Sequence, residues 1–308
     1  MVNLTVKTYM WKYMSLVFIS SGLTLAVSGQ IKKQFSVENL ENCTSIELNL
    51  KAKTGNCFIR PSQNSDILNV YSNQEVDEYN HSFSNELKDQ TCMVKLWLEQ
   101  EDQKGVGTKI SYKVFGADTE PNDKFWKIYL SEKKPYSLDL DYGLGNANID
   151  LSGLSIKRLN INTGSADVNV SYRSGIENKV DMDTFYVKVD LGSLNVRQLN
   201  LSRSHVMIAD VGFGNIFLDF SDKLLVSNKV KGSVGAGNMV ILLPAEDIPV
   251  HVNISESWLC SINLCKSLKK IGENAYANEA YIEKKSNVAV TFDLDVSMGK
   301  IIFKEKAN

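Results

Sequence analysis

A small-residue corner recurs along this chain, and it limits the fold more than any other feature. It reads Gly143-Leu144-Gly145-Asn146 before "ANIDL", Thr163-Gly164-Ser165-Ala166-Asp167 before "VNV", and Leu191-Gly192-Ser193-Leu194-Asn195 before "VRQLNL". It returns as Val211-Gly212-Phe213-Gly214-Asn215 before "IFLDF" and Val234-Gly235-Ala236-Gly237-Asn238 before "MVILL". The Asn/Asp anchors at 146, 167, 195, 215 and 238 lie 21, 28, 20 and 23 residues apart, and the long interval holds the insertion "SYRSGIENKVDMDT". Thr54-Gly55-Asn56 before "CFI" reads as an early copy, and Gly299 before "KIIF" as the last. A period near 20 is the mark of a solenoid whose coils bury their apolar faces only by stacking. Gly supplies positive φ at a corner, with Asn or Asp next best. The inward residues Ile149, Val168, Val196, Ile216 and Met239 would stack coil on coil. Proline, which removes a ladder donor, is absent from 136 to 243 and present at 61, 121, 135, 244 and 249. The competing arrangement is an antiparallel sandwich with Gly-rich hairpins. The constant phase of the corner favours the solenoid.

Between corners the sequence alternates with period two, as half-buried strands do. "SIELNLKA", "YSLDLDYG", "FYVKVDLG" and "VTFDLDVS" are examples. The expected fold is therefore all-β: a single-stranded β-helix-like solenoid over residues 136–308, preceded by a β-rich capping region at 30–135. The latter holds "ILNVYSN", "MVKLWLEQ", "KISYKVF" and "KFWKIYLS". Residues 73–90 read as a loop or edge strand, 255–285 as a short helix or long loop, and the last strands as closing the far end.

Residues 1–29 carry Lys7, Lys12 and no acid, then the apolar run Leu16–Val27, then Val27-Ser28-Gly29. That is a secretory signal peptide pattern with cleavage after Gly29, and its apolar run is too short to span a bilayer. The mature chain would carry 32 basic and 36 acidic residues, against 34 and 36 before cleavage. It has no basic footprint for nucleic acid. Export permits disulfides, but Cys43, Cys57, Cys92, Cys260 and Cys265 are odd in number. Cys57 and Cys92 lie in strand-like runs and read as small core residues. Cys260 and Cys265 are close enough in sequence to pair.

The stretches "YGLGNANIDLSGLSIKRLNINTGSADVNVSY", "VGFGNIFLDF" and "VGAGNMVILLPAEDIPVHVNIS" resemble the DUF4097-type adhesin-like family and the related toast-rack domains. The resemblance covers about 136–302. It implies a β-helix-like fold, an exported or envelope location in bacteria, many of them Bacteroidetes, and an adhesion or surface role. It implies no catalytic residues.

The residues assign no catalytic, cofactor or metal site. The glycine pairs lack the third glycine of a dinucleotide loop, with Asn148, Phe217 and Val240 at that offset, and no helix pattern follows them. His81, His205 and His251 are far apart, and Ser204-His205 is a strand neighbour pair. Asp139/Asp141, Asp181/Asp183 and Asp293/Asp295 place two carboxylates on one strand face, as a solvated surface does. The expected function is a non-enzymatic binding or structural role in the periplasm, at the cell surface or secreted. The partner would be an envelope protein or glycan, with no cofactor. The alternatives are a carbohydrate-active β-helix enzyme using an Asp pair, with Tyr142, Tyr172 or Trp126 as sugar-stacking aromatics, and a periplasmic sensor of an envelope-stress system.

Overall fold

A computed structural model describes residues 31–73, 81–98 and 125–306. The signal segment 1–29 and the strand expected at "KISYKVF" lie outside the described residues. In chain order the strands are β1 (Lys32–Val37), β2 (Ser45–Ala52), β3 (Asn56–Ser62), β4 (Leu68–Ser72), β5 (His81–Lys88), β6 (Thr91–Leu98), β7 (Phe125–Ser131) and β8 (Pro135–Tyr142). There follow β9 (Asn146–Asp150), β10 (Ser155–Thr163), β11 (Asp167–Ser171), β12 (Met182–Val189), β13 (Ser193–Val196), β14 (Ser204–Val211), β15 (Asn215–Asp219), β16 (Asn228–Val234) and β17 (Asn238–Leu242). The chain ends through β18 (Val250–Glu256), β19 (Ser261–Asn263), β20 (Lys269–Lys270), β21 (Ala275–Ala277), helix α1 (Glu279–Ile282), β22 (Val290–Val296) and β23 (Lys300–Lys304).

The strands form two sheets, A of 11 strands and B of 12. Each rung is one strand of sheet B, a three-residue corner and one strand of sheet A, as in β8–β9, β10–β11 and β14–β15. Successive rungs pair in parallel in both sheets. The solenoid expectation therefore holds, and the hairpin sandwich does not. Parallel pairing aligns like with like, so the interior is made of columns. One runs Ala147–Val168–Leu194–Ile216–Met239–Ile301 and its neighbour Ile149–Val170–Val196–Leu218–Ile241–Phe303. All of these are buried. The five inward residues expected from the sequence are among them, divided between the two columns.

Two details of the repeat differ from expectation. Ser193, not Asn195, pairs with both Asp167 and Asn215 at the head of its strand. Asn195 sits two residues further in, on the outer face. The corner glycines also serve a different purpose. Only Gly55 (φ 97°) and Gly145 (φ 116°) have the left-handed backbone among the corners. At Gly192, Gly214, Gly237 and Gly299 the constraint is space. A Cβ on Gly237 would lie 2.2 Å from Gly214 O, and one on Gly299 2.4 Å from Gly237 O. Those carbonyls accept from the next rung: Asn238 N to Gly214 O and Lys300 N to Gly237 O, both 3.0 Å. Glycine lets adjacent corners come within hydrogen-bond distance.

The opposite edge, where the chain returns from sheet A to sheet B, is stitched by buried asparagines. Asn178 Oδ1 accepts from Ile156 N and its Nδ2 donates to Ile156 O, each at 2.7 Å. Asn200 Nδ2 donates to Phe220 O at 2.9 Å, and Asn228 Nδ2 donates to Ser204 O. Asn278 Oδ1 accepts from Val250 N and caps α1. These loops would otherwise bury unpaired backbone groups.

Both ends of the stack depart from chain order. Sheet B runs β18–β22–β16 and sheet A runs β19–β23–β17. The last strands are therefore inserted inside the ladder and do not close it. The β18–β19 rung lies beyond them, covered by the antiparallel β20–β21 pair. At the other end β2–β3 packs directly on β8–β9, with β6 and β7 beyond. The antiparallel strands β1, β4 and β5 finish that end. Within 73–90, His81–Lys88 is an edge strand. Between 255 and 285 the chain forms short strands and the single turn of α1.

Cys92 is not a free core thiol: it is bridged to Cys43, with Cα atoms 5.7 Å apart. Cys57 is free and buried, as expected, and Cys260 and Cys265 are both free thiols.

Candidate functional site

The outer faces of both sheets are polar, and they differ in how completely the side chains satisfy one another. At the corner edge of sheet A the amides bond along the stack: Asn146 Nδ2 to Asn56 Oδ1 at 3.1 Å and Asn238 Nδ2 to Asn215 Oδ1 at 2.8 Å. Ser193 Oγ donates to Asp167 Oδ1 at 2.7 Å. Such ladders are expected where short polar side chains stack.

One column inward the pattern changes. Asn148, Asn169 and Asn195 stand on consecutive rungs in register, with Phe58 before them and Phe217 after. None of the three amides takes part in a side-chain hydrogen bond, and Asn195 Oδ1 is buried with no donor. They form the floor of a groove of about 740 Å³, lined also by Arg60, Arg173, Arg197, Asp150 and Asp219.

The chain contains only five arginines. Arg158 pairs with Asp139 at 3.1 Å, and Arg203 with Asp181 at 2.7 Å. The other three are those of the groove, all exposed, and none has a carboxylate partner among the described residues. Arg60 lies over the Phe58 ring, 5.9 Å from its centroid. The two groove carboxylates are turned toward their own loops. Asp150 Oδ1 accepts from Ser152 N (3.1 Å), Ser152 Oγ (2.6 Å) and Arg173 N (3.3 Å), and Asp219 Oδ1 from Ser221 N (2.9 Å). Gln198, at the rim, holds a left-handed backbone with φ 55°, uncommon for a residue with a Cβ.

The groove was not anticipated from the sequence. The available sign was the placement of scarce arginines within or just after the sheet A strands of a lysine-rich chain. The acid pairs that were anticipated do not converge. Asp139/Asp141 and Asp293/Asp295 share the outer face of sheet B, but five rungs separate them, about 24 Å at the usual strand spacing. Lys51 and Arg158 pair with the first, and Lys229 with Asp293. The Asn253 amide and then Lys229 hold Asp293 below the ordinary carboxylate range, the opposite of what a general acid needs. Asp181 is likewise lowered, first by Arg203 and then by His205. A shallower depression of about 630 Å³ on sheet B contains Asp210, Asp293 and Asp295. There Asp210 accepts from Tyr186 Oη and Ser233 Oγ.

Ser204 is buried and its neighbour His205 exposed, so they do not form a nucleophile–base pair. His205 contacts Asp181, His81 packs on Phe35, and His251 stacks on Tyr281. Tyr142, Tyr172 and Trp126, considered as sugar-stacking residues, are all core side chains. Among the described residues no three His, Cys, Asp or Glu side chains gather as a metal site would require.

A second surface lies along the glycine corners. The four most exposed large apolar side chains of the described residues, Trp258 (90%), Phe213 (71%), Leu191 (65%) and Met298 (58%), all occupy corner tips. Leu191 and Phe213 lie on adjacent rungs and so do Met298 and Trp258, with the Ala236 corner between the two pairs. No helix of the described residues is long and apolar enough to cross a membrane.

Comparison with known proteins adds the following. None of the curated proteins compared with the chain matches it. Among solved structures, a putative cell adhesion protein from Clostridium sporogenes ATCC 15579 is similar at 20% identity with a TM-score of 0.38, covering 90% of this chain and 100% of that one. The family model for the N-terminal domain of toast_rack, DUF2154, matches residues 26–186. That span takes in the capping strands and the first rungs, including Arg60, Asn148, Asn169 and Arg173. The match covers more than half of the chain, and the protein belongs to the toast-rack family.

Proposed function

We propose that this protein is an exported, non-enzymatic β-solenoid of the bacterial cell envelope or surface, and that it acts by adhesion-like binding through the outer face of sheet A. The observation that carries the reading is the groove of three amides without side-chain hydrogen bonds and three arginines without carboxylate partners among the described residues. Polar groups left uncommitted on a rigid face are suited to recognition, because little order has to be imposed on binding. Residues 1–29 serve as the export signal, and Gln30 begins the mature chain. The paired acids stabilise neighbouring rungs and keep the surface soluble, and none acts as a catalyst.

The test is expression in a Gram-negative host, with fractionation, N-terminal sequencing and a binding assay against isolated envelopes. The expected result is a mature chain beginning at Gln30, found outside the cytoplasm and retained on envelopes. An unprocessed cytoplasmic chain, or one that washes freely from envelopes, would refute the reading.

A further inference from the structure

We propose that the sheet A groove binds a linear acidic glycan, one carrying carboxylate or phosphate groups along its length. This deepens the reading above and rests on it. Arginine presents a planar fork of donors that matches both anions bidentately, and here three such forks have no carboxylate partner among the described residues while Arg158 and Arg203 are neutralised. The sheet A strands that carry or precede them, β3, β11 and β13, are separated from end to end by three rungs, about 14 Å at the usual strand spacing. A single small anion cannot reach all three, whereas an extended oligomer can.

The floor specifies the rest of the ligand. Asn148 and Asn169 each offer a donor and an acceptor, the complement of a hydroxyl, which is itself both, and Asn195, whose Oδ1 is buried, adds only its Nδ2 donor. Phe58 adds an apolar surface at one end for the C–H face of a sugar ring. An acidic peptide fits less well. Peptides commonly gain affinity by adding a strand to a sheet edge, but β9, β11 and β13 are paired on both sides and offer only side chains. The net local charge, three arginines against Asp150 and Asp219, is modest. It favours an anion spaced by neutral hydroxyl groups over a dense polyanion.

The experiment is titration calorimetry on the full mature chain with oligomers of polygalacturonate, phosphomannan, neutral dextran and poly-glutamate. Binding of polygalacturonate or phosphomannan is expected, and which of them binds identifies the acid. Each of Arg60→Gln, Arg173→Gln and Arg197→Gln should weaken binding about tenfold, the effect of losing one charge-assisted contact. Asn169→Ala should weaken it without changing its dependence on salt. Arg197→Lys, which keeps the charge and loses the fork, should not restore full affinity. All the substituted residues are surface residues, and unchanged circular dichroism would confirm that the variants fold. The proposal is overturned if dextran or poly-glutamate binds as tightly as the acidic glycans, if no glycan binds, or if the triple Arg→Gln variant binds like the parent. Envelope retention separates the two levels: retention that survives the triple variant removes the groove alone, and no retention of the parent removes the broader reading.

Discussion

Gly237→Ala tests the claim that corner glycines are required for the close approach of rungs and not for backbone freedom. The added Cβ would lie 2.2 Å from Gly214 O, 2.7 Å from Val211 Cγ1 and 3.0 Å from Phe213 C. Ordinary contact begins near 3.4 Å, so the corners must separate by about 1 Å, close to the full tolerance of a hydrogen bond. The bond from Asn238 N to Gly214 O, now 3.0 Å, would be lost, and the one from Lys300 N to Gly237 O would be strained. Each is worth about 0.5–1.5 kcal/mol, and overpacking adds about 1–3 kcal/mol. Against this, the unfolded chain loses entropy worth about 0.4–1 kcal/mol. The expected net cost is about 0.5–4 kcal/mol, centred near 2 kcal/mol. Gly175→Ala is the control. Its φ is 69° and nothing lies within 4 Å of the new Cβ, so it carries only the left-handed penalty of about 1–2 kcal/mol, less the same entropy gain of about 0.4–1 kcal/mol. Urea denaturation of both variants measures the two costs, and amide exchange at Asn238 and Lys300 shows whether the loss is local. A Gly237→Ala cost no larger than that of Gly175→Ala, with exchange at Asn238 unchanged, would refute the steric account.

Three further outcomes rest on the thiols and on a paired carboxylate. Replacing Cys43 and Cys92 by Ser opens a bridge that spans 49 residues, and should cost up to about 4 kcal/mol in urea titration by the loop-entropy relation. Alkylation of the native protein should modify Cys260 and Cys265 while sparing Cys57, whose thiol burial pushes up to about 12. Cys57 should react only in denaturant, as mass spectrometry of labelled peptides would show. Asp293, depressed in the folded state by Asn253 and Lys229, contributes stability that is complete above the unfolded carboxylate pKa and is lost as pH falls through the folded one. Asp293→Asn should therefore destabilise the protein at neutral pH, and melting curves of parent and variant should begin to approach one another near pH 4 and converge only below the lowered folded pKa.

The repeat was legible because parallel stacking is a one-dimensional rule: a corner that must admit the next carbonyl recurs wherever a rung recurs. The inward columns followed from period-two alternation. The rung order at the ends was not legible. Val250, Val252 and Ile254 present the same alternating pattern as Val290, Phe292 and Leu294, and either set can lie against β16 by pattern alone. The return-edge asparagines escaped notice for a related reason. Asn178 and Asn228 each begin an Asn-Lys-Val run, but a loop asparagine looks solvated until the backbone it satisfies is seen. The groove was hidden because its residues come from separate rungs. Arg60 and Arg197 are 137 positions apart in sequence, but their strands β3 and β13 are only three positions apart in sheet A. Asn195, read as a corner anchor, is a floor residue because Ser193 takes the corner.

The groove's position along the stack follows from how such a ladder loses order. In a solenoid each rung contacts only its neighbours, so opening begins at the ends and works inward. Here the ends are held by antiparallel strands, by the bridge from Cys43, just ahead of β2, to Cys92 in β6, and by the last rung, β22–β23, threaded inside the ladder. The floor amides belong to β9, β11 and β13, each paired in parallel on both sides and with at least two parallel strands between it and either end of sheet A. The spacing of Asn148, Asn169 and Asn195 is therefore fixed by backbone hydrogen bonds that the whole stack must break to alter. A recognition surface built this way needs no closing loop and no induced fit. Its selectivity comes from which side chain each rung contributes to the column, and a single substitution changes one step of the ladder while leaving the others in place.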